Sequence, residues 1–230
     1  MYIRIKTHTI TPRRERMNMN IGILGAGNVG TMLGKGLIRA GYNVCISSRV
    51  SHDPKHLKWK HEVGTAGDIT AFHEAALFGE LIILALPWYC LKDVIETINP
   101  VYFKNKTVVD VSNAVYFDDG PRLQLVDTSA GEVIQQLLPE SHVVKTLNTV
   151  SDKIMIHPHF KEGSPIMFIS GNNPSSKNQV NTLLKDLGWS TIVDLGDIRQ
   201  SRLQESMMLA CVISETQLQS PGSAFALLRN

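Results

Sequence analysis

The chain has 230 residues, 43% of them hydrophobic and 19% charged, with a formal net charge of +2. That length suits one large domain or one domain with a small appendage, and so small a charge excludes an extended nucleic-acid surface while leaving room for a local anion site. The apolar run Leu81–Leu86 is far too short to cross a bilayer, so neither a membrane nor a nucleic acid is an expected partner. Cys45, Cys90 and Cys211 lie in apolar contexts without a CxxC pair, which predicts free buried thiols in a reducing, cytoplasmic compartment.

Residues 1–19 differ from the rest. Arg4, Lys6, Arg13, Arg14 and Arg16 face a single acid, Glu15, and Pro12 interrupts any helix. An organelle-targeting segment would be basic and acid-poor but also amphipathic, and this one is not clearly so. It reads as a disordered extension, translated from a start upstream of Met17 or Met19.

From residue 20 to about 215, strands and helices alternate. Ile21–Leu24 is a short apolar run ending in glycines, as expected of a buried strand. A helix from about Asn28 to Ala40 carries Val29, Leu33 and Leu37 on one face, and Gly41 stands where a C-terminal cap belongs. Asn43–Ser47 reads as a second strand. Helices are predicted over Ile69–Phe78, Trp88–Thr97 and Ser129–Leu138. Between them, Leu81–Leu86, Thr107–Val111 and Val143–Leu147 are continuous apolar segments of the kind found in a parallel sheet covered on both faces. Ile166–Ile169 and Thr191–Asp194 are further strands flanking a helix over Ser175–Leu187, and Ser201–Ser214 is a closing helix. Residues 216–230 form a tail to which the pattern assigns no structure. No repeat and no linker divides the chain, so the expected fold is α/β, a doubly wound, mostly parallel sheet of about eight strands in a single domain.

Gly25-Ala26-Gly27-Asn28-Val29-Gly30 has the spacing G-x-G-x-x-G. The string is weak alone, but here it follows an apolar strand and opens a helix within a unit of about 30 residues, the context of the Rossmann dinucleotide-binding turn. Gly25 permits the tight turn, Gly27 lets backbone approach a pyrophosphate, and Gly30 lets the helix pack on the strand. The free amides and positive dipole end at Asn28, Val29 and Gly30 then favour an anion.

The end of the second strand selects the cofactor. An NAD site places Asp or Glu about 20 residues beyond the turn, bonding the ribose 2′-hydroxyl. Here Ser47, Ser48 and Arg49 stand instead, two hydroxyls and a guanidinium suited to a 2′-phosphate. That favours NADP over NAD. Lys55 could add a point charge or simply lie in solvent.

With these residues on the page, the stretch from Ile21 to about Glu205 resembles the NADP oxidoreductases dependent on the deazaflavin coenzyme F-420. It also resembles the cytosolic oxidoreductase domain of the STEAP metalloreductases. The resemblance rests on Ile21–Gly30, Ser47–Arg49, Leu84–Trp88, Val109–Asn113 and Val143–Asn148, and more loosely on Ser201–Glu205. It implies an NADP(H) site in which Ser48 and Arg49 hold the 2′-phosphate and Leu86, Pro87 and Trp88 lie along the nicotinamide half. Asn113 and Asn148 would end neighbouring strands around a second ring system, coenzyme F-420 or a flavin. Independently of the family, Pro87 after a buried strand ends pairing and makes a crevice lip, while Trp88 suits either core or lip. Asp118–Asp127 matches nothing in the pattern.

Hydride transfer between two stacked rings does not need a protein acid or base, so the lack of an obvious catalytic pair fits it. Carbonyl reduction would need a proton donor, for which Lys145, His142, His157 and His159 are the late-chain candidates. His157 and His159 lack a third ligand at metal spacing and read as loop residues. Lys145 at a strand end could meet a phosphate or a carboxylate, or reach solvent. Arg202 and Glu205, three apart, read as an intrahelical ion pair. The leading expectation is an NADP(H)-dependent oxidoreductase. Two alternatives remain: a small imine or hydroxy-acid reductase, disfavoured because only about 80 residues follow Asn148, and an NADP(H)-binding redox sensor without turnover. A homodimer is compatible with the sequence.

Overall fold

The computed structural model describes residues 19–50 and 53–228; the basic stretch of residues 1–18 lies outside them. In chain order the elements are β1 (Asn20–Leu24), α1 (Asn28–Arg39), β2 (Asn43–Ser47), α2 (Pro54–Val63), β3 (Gly67–Thr70), α3 (Phe72–Phe78), β4 (Leu81–Leu84) and α4 (Trp88–Glu96). They continue as β5 (Thr107–Asp110), a two-stranded hairpin of β6 (Val115–Tyr116) and β7 (Arg122–Leu123), α5 (Ala130–Leu137), β8 (His142–Lys145), α6 (Asp152–Met155), β9 (Ile166–Gly171), α7 (Pro174–Asp186), β10 (Thr191–Asp194) and α8 (Ser201–Leu218).

Eight strands form one sheet in the order β10-β9-β8-β5-β4-β1-β2-β3, the Rossmann-like architecture expected. From β3 across to β8 every pair is parallel. Residues of β1, β4 and β5 are buried on both faces, which is why these strands read as unbroken apolar runs. One core layer packs Leu33 and Leu37 of α1, Trp59 of α2 and Val180 and Leu183 of α7 against the sheet. The opposite layer takes Ala75 of α3, Leu91 and Ile95 of α4 and Ile134 of α5.

Several elements depart from expectation. Ile69–Phe78 is not one helix. Ile69 and Thr70 end the edge strand β3, paired with Ile46 and Ser47, and α3 begins only at Phe72, where the Glu74 carboxylate accepts from the Ala71 amide at 3.0 Å. Helix α2 was not anticipated, because only His56 and Trp59 of its ten residues are buried and no apolar stripe marks it. Its start is nonetheless written locally: Asp53 accepts from the Lys55 amide at 3.0 Å and Pro54 occupies the first turn, both helix-entry signals. β9 joins β8 antiparallel, with Val144 opposite Gly171, and β10 runs parallel to β9.

The closing helix passes Ser214 and ends at Leu218. Beyond it the tail returns to the sheet, where Phe225 accepts at its carbonyl from the Ile166 amide at 2.8 Å and meets the Phe168 ring edge-on at 6.2 Å. Cys45 and Cys211 are buried as expected, but Cys90 is half-buried. No helix among the described residues is long and apolar enough to cross a membrane.

Candidate functional site

The strand order reverses between β1 and β4: the chain runs outward through β2 and β3 on one side and through β5 and β8 on the other. Such a switch leaves a crevice at the carboxyl ends of the strands, and the glycine turn sits in it. Gly25 has φ of 125°, and a Cβ there would lie 2.3 Å from the Ala85 carbonyl oxygen. A Cβ on Gly30 would lie 2.1 Å from the Gly25 carbonyl oxygen. Both positions therefore need glycine for chain geometry. Gly27 differs: among the described residues nothing lies within 4 Å of where its Cβ would be, which leaves space beside it for a ligand. It caps α1 with no side-chain hydrogen bond, and the first turn carries no acid. The amides of Asn28, Val29 and Gly30 thus belong to the donors that every helix start leaves over, with no side-chain cap to take them. An anionic pyrophosphate fits this cradle.

Ser47 is wholly buried. Its hydroxyl accepts from the Gly25 amide at 3.2 Å and donates to the Ile23 carbonyl at 3.1 Å. It fastens β2 to the turn from below and does not face a ligand, so its place in the site is positional. Ser48 is half-buried, and its hydroxyl accepts from the Val50 amide at 3.2 Å. Arg49 is exposed and makes no ion pair or hydrogen bond among the described residues. Burial pushes the Cys90 thiol up, and the Arg49 charge pulls it down in part. Lys55 lies 3.1 Å from Asp53 and lines a cavity of about 330 Å³ between α1 and α2, together with Gly27, Asn28, Lys35, His56, Lys58 and Glu62.

Leu86 lies over the turn, its Cδ2 3.4 Å from where a Gly25 Cβ would be. Pro87 is exposed and caps α4. Trp88 is partly buried against the α4 side of the core, a lip aromatic with a core anchor. Asn113 and Asn148 are locked to each other: Asn113 donates to the Asn148 carbonyl at 2.9 Å, and Asn148 donates to the Asn113 side chain at 2.9 Å and to the Gln204 carbonyl at 3.0 Å. Asn148 is 2% exposed, so this pair ties together the segments that follow β5 and β8.

The sequence reading missed a buried charge cluster beneath that wall. Lys145 and Asp110, both wholly buried, are paired at 2.8 Å, and Glu205 lies 3.1 Å from the same ammonium. Ser112 completes the set, its carbonyl accepting from Lys145 and its hydroxyl donating to Asp110 at 2.7 Å. Glu205 also accepts from the Ala130 amide at 2.9 Å, reaching the start of α5. Burial works against the Lys145 charge, but the two carboxylates outweigh it and its pKa is raised. Burial pushes the Glu205 carboxyl up, against the pull of Lys145; we take the ammonium to stay charged, because all three of its protons have acceptors. The available signal was a lysine ending an apolar strand, which requires a buried acid; the register supplies it, with Asp110 directly opposite Lys145.

That cluster also corrects the expected Arg202–Glu205 pair. Glu205 faces inward to Lys145, whereas Arg202 crosses to Glu132 of α5 at 2.6 Å. The proton-donor candidates disperse. Lys145 is enclosed, His142 opens β8 at the end away from the crevice, and His157 and His159 occupy the loop after α6, with His159 lining a separate cavity beside Gly188.

Sheet order, switch point and glycine turn together define a dinucleotide-binding protein of the Rossmann class. Residues 20–114 match the family model of NADP oxidoreductases, coenzyme F-420-dependent. A solved structure from Arthrobacter sp. FB24, carried under the name of an F-420-dependent NADP reductase, is 31% identical with a TM-score of 0.86, covering 92% of this chain and 100% of that one. The F-420-dependent NADP reductase of Methanocaldococcus jannaschii is 24% identical over 157 residues, 67% of this chain and 70% of that one. Human metalloreductase STEAP2 is 28% identical over 202 residues, 85% of this chain but 37% of the relative, so the chain spans little more than a third of that protein. The chain belongs to the coenzyme F-420-dependent NADP oxidoreductase family. It is, by that membership, an oxidoreductase of the NADP-dependent kind.

Proposed function

We propose that the chain binds NADP(H) across the carboxyl ends of β1, β2 and β4 and serves hydride exchange with a second ring cofactor, coenzyme F-420 or a flavin. The observation that carries this reading is the uncapped start of α1, its amides open and acid-free beside Gly27. The amides of Asn28, Val29 and Gly30 would hold the pyrophosphate. Ser48 and Arg49 would hold the 2′-phosphate, with Lys55 adding charge from α2. Ser47 holds the turn in shape behind them. Leu86, Pro87 and Trp88 would border the nicotinamide half, and the Asn113–Asn148 clasp would set the wall against which a second ring packs.

A bound NADPH supplies the hydride. The chain's share is to align two rings and exclude water, a contribution of proximity and orientation that asks no general acid of the protein. The dispersal of Lys145, His142, His157 and His159 suits that chemistry better than carbonyl or imine reduction, which needs a placed proton donor. Small-molecule cofactor and acceptor suffice as partners. A reducing, cytoplasmic setting suits the three unpaired thiols.

The test is steady-state oxidation of NADPH with coenzyme F-420, FMN, FAD and ferric chelates as acceptors. Turnover with a ring acceptor supports the proposal. Tight NADPH binding with no turnover under any acceptor would replace it with a nucleotide sensor.

A further inference from the structure

Asp110 and Lys145 already balance each other in the core, wholly buried and 2.8 Å apart. Glu205 brings a second carboxylate to the same ammonium at 3.1 Å and is itself 2% exposed, so the cluster holds more acid than ion pairing needs. A buried charge costs desolvation, and a buried ion cluster is weak evidence for stability. The surplus carboxylate therefore calls for another explanation, and its remaining contacts supply one. One oxygen accepts from the Ala130 amide at 2.9 Å and the other from the Ala114 amide at 3.4 Å. Both oxygens meet only donors, which suits an ionised carboxylate.

Ala114 and Ala130 are the two ends of one excursion. Between them the chain leaves the end of β5, forms the β6–β7 hairpin and returns to start α5. A single carboxylate on α8 thus staples the base of that arm. The arm carries Tyr116 and Phe117, both exposed, with the Arg122 guanidinium over the Tyr116 ring at 5.0 Å. Ala114 also follows Asn113 directly, and Ser112 on the other side is held by the same cluster. The Ser112 carbonyl accepts from Lys145, and its amide donates to Asp110 at 2.9 Å. Asn113 is half-buried, whereas Asp110, Val111, Ser112 and Ala114 are buried; the charges fix the backbone on both sides of the one residue that reaches the surface. The residue before Glu205 holds the other half of the clasp, since Asn148 donates to the Gln204 carbonyl at 3.0 Å. Consecutive residues of α8 therefore set both asparagines.

Resting on the reading of a second ring cofactor, we propose that Glu205 is a positioning residue for the hydride acceptor. It fixes Asn113 and the base of the hairpin arm, which border the acceptor's side of the site, and it touches neither ring. The nucleotide cradle belongs to β1, β2 and the start of α1 and shares none of these bonds. A loss at Glu205 thus falls on the acceptor and spares NADPH.

The experiment follows steady-state reduction of coenzyme F-420 and of FMN by NADPH in the full chain and in its Glu205→Met and Glu205→Gln variants, with NADPH titration counting the folded sites. Removing Glu205 leaves the balanced Asp110–Lys145 pair, so no unpaired charge is stranded and the variants should fold. Glu205→Gln keeps one oxygen for an amide and serves should Glu205→Met be unstable. In Glu205→Met the acceptor's KM should rise and its kcat/KM fall about tenfold or more, while NADPH affinity stays within about twofold and Glu205→Gln recovers part of the loss. A merely structural role predicts another pattern: kcat per folded site and the acceptor's KM both unchanged, or NADPH weakened as much as the acceptor. Either result would overturn the role of Glu205 and leave the ring-acceptor reading in place. If the unaltered chain reduces neither coenzyme F-420 nor FMN, that reading falls and the role of Glu205 falls with it.

Discussion

Gly25, Gly27 and Gly30 share a spacing but not a reason. Gly25 combines a left-handed φ with a backbone oxygen 2.3 Å from any added Cβ. Gly25→Ala should therefore lower stability by more than about 1 kcal/mol, seen as a reduced unfolding midpoint. Arg49 carries a different expectation. Arg49→Ala should weaken NADPH binding about tenfold or more and leave NADH within about twofold, measured by fluorescence titration; equal loss would remove its 2′-phosphate role. Lys145 belongs to the core. Lys145→Met strands two buried carboxyls without their cation, and the expected cost is roughly 3–5 kcal/mol in denaturant unfolding. Residue types at the crevice were legible in the sequence, but side-chain direction was not. Ser47 and Asn148 stand where a ligand contact was anticipated, yet both turn into the protein: Ser47 bonds the Gly25 and Ile23 backbone, and Asn148 bonds the Asn113 side chain and the Gln204 carbonyl. The Lys145 cluster was missed for a related reason: its partners sit on β5 and α8, and only the sheet register brings them together.

Elements were readable where an apolar period marked them and obscure where it did not. β1, β4 and α1 stand close to their expected places. α2 buries only His56 and Trp59, so its Asp53-Pro54 entry was the one usable sign. β3 was absorbed into a helix because an edge strand of four residues with a single buried position carries little pattern. The antiparallel entry of β9 left no mark, since an apolar run reads alike in either direction. Between elements, the Glu132–Arg202 pair fastens α5 to α8. Arg202 holds the Glu132 carboxyl below its ordinary range, so its contribution is present above the unfolded carboxylate value of about 4.3 and fades as pH falls through the lower folded value. Half of the Arg202 side chain is in solvent, so water screens the pair and the effect is small. Arg202→Leu should leave a smaller loss of stability between pH 5 and pH 3 than the unaltered chain shows, with thermal unfolding as the readout; an unchanged acid profile would show that the pair contributes nothing there.

At the scale of the whole molecule, the doubly wound sheet with its switch point between β1 and β4 was the most legible feature, since strand–helix alternation and right-handed crossovers leave few other topologies. Its consequence is that the glycine turn and the Asn113–Asn148 pair both follow the carboxyl ends of sheet strands. On the proposed reading, a nicotinamide ring would lie there against a second planar ring. The most direct measurement uses NADPH deuterated at the transferring carbon, with coenzyme F-420 as acceptor. Direct transfer predicts slower acceptor reduction with the labelled nucleotide and deuterium retained on the reduced deazaflavin ring. Reduced acceptor carrying only solvent hydrogen, or bound NADPH that reduces neither coenzyme F-420 nor a flavin, would contradict it.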